Sequence, residues 1–342
     1  MIRRALACAV LGLVLAAPAS AATSWAAPQI KVVTARGLMG GKAAAFRPDD
    51  ALTAGELGDL VGGLTGKQQA PVANPTVPVT IAQLDAQLVR GLGLLPVARQ
   101  FTASIRTAGL VPTRAFGTET VARLLGLRVN HPAAQDFLEL GPDSVATRAE
   151  AAYSAARILV LHTGDLDAVT SLAATFRPAP LAGLQRSVLQ TAVSFVGYPY
   201  VWGGTSESPQ DPFGTGTEVP AGFDCSGFVW RVYKLQSYAG AVTLPGVLRG
   251  RTTYAMAGEV PPARRIPLAK VQPGDLLFFG AAGPRSKPAQ INHMGIYLGS
   301  GWFIQSSDQG VALSPLTSDW YSSRFAWARR PLAEAGLAAS AR

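Results

Sequence analysis

The chain changes character near residue 184, and this change constrains its architecture more than any single motif. Capped helix patterns with apolar stripes fill the first half, whereas all strand-like runs and most tryptophans lie beyond residue 184. A stretch marked by proline and glycine over residues 165–183 separates the halves, and we predict that it is a linker. With 342 residues the chain has room for two domains, a helical one followed by one that contains strands.

Residues 1–21 have the three-part pattern of a secretory signal peptide. Arg3 and Arg4 precede an apolar stretch over residues 5–17, and Ala19-Ser20-Ala21 supplies a cleavage signal. The apolar stretch is too short to anchor the chain across a bilayer, and no later segment reads as transmembrane. We therefore predict an exported protein, secreted or held in the cell wall or a periplasm-like space. A first helix of the fold is the alternative.

The composition restricts which kinds of partner and which cysteine chemistry are expected for this chain. Hydrophobic residues make up 48% of the chain and charged residues 15%, which excludes wholesale disorder. The net charge of +9 favours anionic partners such as wall polymers, with merely solubilising charge as the alternative. Nucleic acid is disfavoured because no Lys/Arg run carries interleaved aromatics. Removal of Cys8 with the signal peptide leaves Cys225 alone, which excludes an intrachain disulfide and a Cys-rich zinc site.

One pattern begins three predicted helices in the first half. It occupies residues 48–56, 75–83 and 142–150, and each copy ends in a T-x-x-E/Q capping box. Three equivalent helix starts predict a repeat array over residues 28–164. The third start, Thr147-Arg148-Ala149-Glu150, resembles that of S-layer homology modules, which implies binding of anionic wall polymers. A generic helical domain with good N-caps is the alternative.

The segment Phe223–Trp230 carries the main chemical signal. Asp224 is a predicted N-cap, and an apolar stripe at helical spacing follows it. Cys225 then lies in the first helical turn, where free amides and the helix dipole are expected to lower a thiol pKa. This setting favours Cys225 as a nucleophile, because the thiolate is the attacking species.

A base for this thiol has to come from three histidines. His131 and His162 belong to the helical half, the first in a loop and the second near a helix end. His293 lies in a segment of period two and shares a strand face with Gly295, which is expected to leave open space beside the imidazole. We predict that His293 is the base, with a structural histidine as the alternative.

Gln305 is the candidate for orienting this imidazole. It lies twelve residues after His293, in a second predicted strand beyond the turn Gly299-Ser300-Gly301. A short hairpin places the two side chains on one face as opposite or diagonal neighbours. We predict that Gln305 hydrogen-bonds the ring, with a polar surface residue as the alternative.

Four motifs make residues 184–330 resemble the NlpC/P60 family of cysteine peptidases. They are Tyr200-Val201-Trp202-Gly203-Gly204, Asp224-Cys225-Ser226-Gly227, Pro273-Gly274-Asp275-Leu276-Leu277-Phe278-Phe279 and His293-Met294-Gly295-Ile296-Tyr297. The resemblance implies a papain-like α+β domain that hydrolyses amide bonds in peptidoglycan stem peptides, commonly between γ-D-glutamate and diaminopimelate. It implies no metal or organic cofactor. Residues 331–342 are predicted to form a flexible tail.

The resemblance also implies residue roles. The catalytic residues would be Cys225, His293 and Gln305, although histidine is commonest in the family at the third position. Tyr200 would bind substrate or the oxyanion. Asp224 and Ser226 would bind substrate, with helix capping as the alternative. Apart from the resemblance, the length of the aperiodic loop over residues 206–222 predicts that it walls the cleft, with a surface insertion as the alternative.

Two other functions fit these residues. One is a weak or inactive wall-binding protein, because the neutral amide of Gln305 gives an imidazolium less electrostatic support. The other is a thiol acyltransferase or amidase on a related fold.

Overall fold

The computed structural model describes residues 23–40 and 42–337, so the predicted signal peptide lies outside the described residues. The α-helices are α1 (Ala27–Ala35), α2 (Ala54–Thr65), α3 (Ile81–Gly91), α4 (Leu95–Thr107), α5 (Phe116–Leu124), α6 (Arg148–Ile158), α7 (Thr163–Thr175), α8 (Gly183–Ser194), α9 (Cys225–Tyr233), α10 (Thr253–Gly258), α11 (Asp319–Arg324) and α12 (Pro331–Glu334). The strands are β1 (Thr205–Ser206), β2 (Gly222–Phe223), β3 (Leu276–Gly280), β4 (Ile291–Gly299), β5 (Trp302–Ser307), β6 (Gly310–Pro315) and β7 (Phe325–Arg329). Short 3₁₀ helices occupy Ala43–Ala45, Ala133–Leu138, Leu244–Gly246, Pro262–Arg264, Leu268–Lys270, Gly283–Arg285 and Pro288–Gln290. In this described part of the chain, no helix has the length and apolarity needed to cross a membrane.

The three predicted helix starts are present in the first half. Thr53, Thr80 and Thr147 precede α2, α3 and α6, and each hydroxyl accepts the backbone N–H three residues on. The capping box is reciprocal in α2 and α3. In α6 the Glu150 carboxylate instead pairs with Arg128 at 3.2 Å.

The segments before these helices bind one another in a closed triangle. Leu52 N–H donates to the Ala146 carbonyl at 2.8 Å, Ala146 N–H to Val79 at 2.9 Å, and Val79 N–H back to Leu52 at 2.9 Å. Backbone groups that would otherwise be orphaned near the helix starts are thereby satisfied. The three motifs thus meet at one centre despite their uneven spacing along the chain.

Arg148, in the third motif, has an internal role. Its side chain is 8% exposed and pairs with Glu56 of the first motif. It also donates to the carbonyls of Phe46 at 2.9 Å and Met39 at 3.0 Å. Because the guanidinium is used inside the fold, Arg148 lends no support to the predicted binding of anionic polymers.

The second half contains the predicted mixture of helix and sheet. Strands β3 to β7 form an antiparallel sheet in the order β6-β5-β4-β3-β7, against which α9 packs. Met294 and Ile304 belong to the core cluster that contains Phe228 of α9, whereas Phe279 and Phe303 form a second cluster. Strand side chains alternate in this way because successive residues point to opposite faces. The α+β class is confirmed.

The predicted linker over residues 165–183 is instead part of the packed fold. Helix α7 occupies this stretch as far as Thr175. The prolines and the glycine of the stretch all lie in the short segment after the helix, over residues 178–183. Phe176 is fully buried, with its ring 5.3 Å from that of Phe101 and 5.2 Å from that of Trp302. The apolar residues within the stretch therefore outweigh its prolines, and the two halves share one hydrophobic core.

The predicted flexible tail is wrong for its first residues. Helix α12 begins at Pro331, and Leu332 is only 6% exposed. Glu334 pairs with the buried Arg329 at 2.9 Å. One apolar side chain and one ion pair thus hold the start of this segment, and residues 338–342 lie outside the described residues.

Candidate active site

Asp224 places Cys225 at the first position of α9. Its carboxylate accepts the backbone N–H of Gly227 and the hydroxyl of Ser226, the latter at 2.9 Å. A Cβ on Gly227 would overlap the carbonyl oxygen of Gly204, so only glycine lets these two segments approach so closely. The cap and this contact fix the cysteine against the segment that carries Tyr200.

The Cys225 thiol is buried, at 8% exposure, and its Sγ lies 3.4 Å from Thr253 Oγ1. Burial raises the pKa of the Cys225 thiol to about 11, and the neighbouring Asp224 carboxylate adds to this effect. The hydroxyl of Thr253 and the amides of Ser226 and Met294 oppose the increase. The predicted lowering of this pKa is wrong, because desolvation outweighs the helix start. A thiol that stays protonated needs a base.

His293 and Gln305 are in contact. The β4–β5 pairing joins Ile296 to Ile304, a register that makes the two side chains diagonal neighbours. The imidazole Nε2–H donates to Gln305 Oε1, which leaves Nδ1 as the free ring nitrogen. Burial lowers the pKa of His293 below its ordinary 6.5, opposed by the bond to Gln305. The imidazole is therefore neutral, and able to accept a proton, at neutral pH.

Two hydroxyls that the sequence reasoning missed hold the Gln305 amide. Its Nε2 donates to Ser314 Oγ at 2.7 Å and to the Tyr321 hydroxyl. Both bonds keep the amide oxygen directed at the imidazole. Ser314 could have been found from strand spacing, because β5 and β6 form a second hairpin, but no local pattern marks Tyr321.

Gly295 serves a different purpose from the one predicted. A Cβ at this position would lie 2.6 Å from Phe303 Cδ2 and 2.8 Å from the Ile304 carbonyl oxygen. The space beside the strand is therefore filled by the Phe303 ring rather than open to a ligand.

The other two histidines lie in the helical half, as predicted, but in different settings. His131 lies in a loop, as predicted, but it is only 4% exposed and its ring packs edge-on against Trp25 with centroids 4.6 Å apart, so this loop residue is part of the core. His162 is the N-cap of α7 and does not belong to the end of α6.

Tyr200 lies near the thiol and lines a cleft with His293. Burial raises the pKa of Tyr200, and the nearby Cys225 and Asp224 raise it further. The phenol therefore stays protonated and can donate a hydrogen bond. Tyr200 belongs to a loop that is held from the helical half, where Asp136 Oδ2 accepts the Trp202 N–H at 2.7 Å.

Asp224 and Ser226, the predicted substrate ligands, are engaged by Arg251. Its guanidinium donates to the two Asp224 oxygens at 3.3 and 3.2 Å and to Ser226 Oγ at 2.8 Å. It also donates to the Gly203 carbonyl at 2.8 Å. These bonds favour the capping role, and substrate binding by the two side chains stays a prediction.

The cleft beside these residues has a volume of about 510 Å³, within the usual range for ligand sites. Its lining residues are Tyr200, Asn292, His293, Ser307, Asp308, Trp320 and Tyr321. Within the described residues no group of three His, Cys, Asp or Glu side chains is arranged to hold a metal ion. What the site does offer is a buried thiol, a neutral imidazole held by an amide, and a protonated phenol.

The family match found by comparison with known proteins lies in the second half of the chain. Residues 197–330 match the family described as NlpC/P60 family. The chain is 33% identical over 135 residues to a gamma-D-glutamyl-L-lysine dipeptidyl-peptidase of Bacillus subtilis, covering 40% of this chain and 36% of the relative. It is 30% identical over 145 residues to the probable peptidoglycan endopeptidase LytE of the same organism, covering 42% and 33%.

A crystal structure of an NlpC/P60 family protein from Bacillus cereus is 27% identical, covers 45% of this chain and 41% of that one, and has a TM-score of 0.33. The chain spans about a third of the length of the two curated relatives. The resemblance of the first half to S-layer homology modules lies outside the matched residues and stays a prediction.

Proposed function

We propose that this chain hydrolyses amide bonds in the stem peptides of peptidoglycan, because residues 197–330 match the NlpC/P60 family. The proposed bond lies between γ-D-glutamate and diaminopimelate. The names of the two relatives, one a probable peptidoglycan endopeptidase and the other a γ-D-glutamyl-L-lysine peptidase, support this substrate class.

One observation carries the proposal: Gln305 bonds His293 through its amide oxygen while its amide nitrogen is held by Ser314 and Tyr321. This arrangement fixes the ring tautomer with Nδ1 unprotonated, as a general base requires. The thiol of Cys225 faces the amide of Met294, the residue after His293. A protein that only binds the wall has no use for such a fixed tautomer.

In the acylation step, His293 Nδ1 takes the thiol proton and Cys225 Sγ attacks the carbonyl carbon of the scissile amide. The oxyanion accepts hydrogen bonds from the Tyr200 hydroxyl and from the Cys225 N–H, which has no partner within the helix. The imidazolium then protonates the leaving amine, the C–N bond breaks, and a thioester remains.

Water completes the reaction. His293, neutral again, takes a proton from a water molecule, and the resulting hydroxide equivalent attacks the thioester carbonyl. The tetrahedral intermediate collapses with loss of the thiolate, which recovers its proton from the imidazolium. One water is consumed for each amide bond cleaved, and the protein returns to its starting state.

We further propose that residues 1–21 direct export, because peptidoglycan lies outside the cytoplasmic membrane and this segment has the pattern of a signal peptide. For contact between the helical half and anionic wall polymers, the net charge of +9 is the supporting observation. Arg148 gives no support, because its guanidinium is engaged inside the fold.

The experiment is mass spectrometry of purified peptidoglycan incubated with the mature chain in water enriched in ¹⁸O. Hydrolysis places one ¹⁸O in the new carboxyl group of the cleaved stem peptide, whereas acyl transfer to an added amine leaves none. Cys225→Ala serves as the inactive control. The proposal fails if the wild-type chain yields no cleaved stem peptide, or if Cys225→Ala yields the same products.

A further inference from the structure

The exposed aromatic residues among the described residues lie at the candidate active site or next to residues that contact it. Five aromatic side chains among the described residues are more than a third exposed: Phe137 (61%), Trp202 (56%), Phe213 (62%), Tyr254 (56%) and Trp320 (42%). The other large hydrophobic side chains with such exposure are valines and leucines. Large exposed aromatic surface costs free energy in water, so its concentration at one site points to a ligand.

Three of these residues adjoin the segments that carry Tyr200 and Thr253, both of which lie near the Cys225 thiol. Trp202 follows Tyr200 by two residues. Phe213 lies over the glycine after Trp202, since a Cβ on Gly203 would be 2.7 Å from its Cζ. Tyr254 follows Thr253, whose hydroxyl is 3.4 Å from the Cys225 sulfur.

The other two residues adjoin His293 and the Trp202 loop. Trp320 packs edge-on against the catalytic candidate His293, with ring centroids 5.8 Å apart. Phe137 comes from the helical half and follows Asp136, whose carboxylate binds the Trp202 N–H. We call these five side chains the aromatic rim.

Polar side chains accompany Trp320, the rim residue that lines the cleft. Asn292, Ser307 and Asp308 line the cleft together with Trp320. Aromatic faces pack against the C–H faces of pyranose rings, while amide, hydroxyl and carboxylate groups bind sugar hydroxyls and N-acetyl groups. A protein partner would instead favour an apolar interface core depleted in charged residues, whereas Asp308 lines this cleft.

We propose that the aromatic rim binds the N-acetylated pyranose rings of the glycan strand to which the stem peptide is attached. This inference rests on the proposed function, because the scissile amide and the sugar belong to one substrate. The protein would therefore bind glycan-linked stem peptide more tightly than free stem peptide. Phe137 makes the helical half part of the substrate site.

Binding is tested first without hydrolysis, in the full-length mature Cys225→Ala chain. The probe is soluble glycan strands freed of peptide, and the readout is the intrinsic fluorescence of the tryptophans, two of which lie in the rim. We expect saturable binding that weakens by about tenfold on adding Phe213→Ala, as removal of one stacking ring does elsewhere. Val242→Ala removes a 91% exposed side chain outside the rim and is the matched control.

Kinetics in the active chain supply the second test. We expect Trp202→Ala and Phe137→Ala to raise KM for glycan-linked stem peptide several-fold more than KM for the same free peptide. Equal KM values for the two substrates in the wild type would overturn the proposal, as would unchanged glycan binding in the Phe213→Ala protein. In those cases the rim would serve a protein partner or none.

The two proposals fail separately. If the protein hydrolyses stem peptides but does not bind glycan, the proposal for the aromatic rim is overturned and the proposed peptidase activity stands. If the wild type binds glycan and the rim variants do not, but no stem peptide is hydrolysed, the proposed peptidase activity is overturned and the proposal for the rim stands.

Discussion

The Asp136 carboxylate accepts the backbone N–H of Trp202 at 2.7 Å, so a residue of the helical half holds the loop that carries Tyr200. A second contact of this kind comes from Arg123, which donates to the carbonyls of Gly197 and Gln309. Both bonds join segments far apart in the sequence. The helical half therefore holds the segments that carry Tyr200 and Gln305 by direct contact and is not merely tethered to them.

Arg123 is expected to position the site. Gly197 leads into the Tyr200 segment, and Gln309 lies in the turn between β5, which carries Gln305, and β6. Arg123→Gln removes both anchors and leaves the buried Glu119 without its partner at 3.4 Å, so we expect lower thermal stability, lower kcat and a shifted acid limb of the pH profile.

The matched control for this prediction is Arg148→Gln. Arg148 is an equally buried arginine of the helical half whose partners all belong to that half. It should lower the melting temperature in a similar way while kcat and the pH profile of the remaining folded protein stay as in the wild type. Equal kinetic effects in the two variants would show that Arg123 is only structural.

Gln305→Glu is expected to move the acid limb of kcat/KM to higher pH. Catalysis needs the neutral imidazole, and burial holds the pKa of His293 below 6.5 in the wild type, so the wild-type limb should lie below pH 6.5. A carboxylate beside the ring stabilises the imidazolium and raises this pKa. Rates measured from pH 4.5 to 8.5 test this, and an unmoved limb would show that His293 is not the titrating base.

Tyr321→Phe is expected to lower kcat about threefold to tenfold, the usual effect of one hydrogen bond, with little change in KM. The lost hydroxyl accepts from the Gln305 amide, so the amide is less firmly oriented toward His293. Tyr297→Phe is the control, because that hydroxyl accepts from Gly301 N–H at 3.0 Å in the β4–β5 turn. Steady-state kinetics of the two variants test this prediction. Equal decreases of kcat in both would contradict a role of Tyr321 through Gln305.

Phe176→Ala is expected to reduce the free energy of unfolding by about 3–5 kcal/mol, as for other buried aromatic residues. Its ring packs between the two halves, on Phe101 and Trp302. Ser171→Ala, at an exposed position of α7, should change stability little. Denaturant unfolding measures both, and a negligible effect of Phe176→Ala would restore the interpretation of this stretch as a linker.

Glu139 is expected to make the protein less stable as pH rises. Burial raises the pKa of this carboxyl from 4.5 to about 8, so between these values the folded state holds a proton that the unfolded state releases. Its stabilising contribution is full below pH 4.5 and is lost as pH rises through about 8. In the wild type, the His131 backbone nitrogen lies 2.6 Å from Glu139 Oε1 and donates its hydrogen to it. Glu139→Gln keeps an oxygen that can accept this hydrogen bond.

Calorimetry at several pH values tests this prediction. The melting temperature of Glu139→Gln relative to the wild type should increase steadily from pH 5 to pH 8.5. A difference that does not depend on pH would mean that Glu139 titrates at the same pH in the folded and unfolded chains.

Some features of this protein follow from the sequence alone because they depend on residues close together in the chain. The caps of α2, α3, α6 and α9 each join two residues that are three positions apart in the sequence. Helical or strand periodicity predicts the remaining residues of each element. The contact between His293 and Gln305 follows from the length of one hairpin. Short-range geometry of this kind is the same wherever the segment occurs.

Other features were decided only by the tertiary structure. The high pKa of the Cys225 thiol comes from burial beneath distant segments, and the packing of Phe176 contradicts the local signal of its neighbouring prolines. Tyr321 reaches Gln305 from α11, and Asp136 reaches Trp202 across 66 residues. Desolvation and long-range hydrogen bonds depend on which surfaces meet, and no local pattern of residues specifies that.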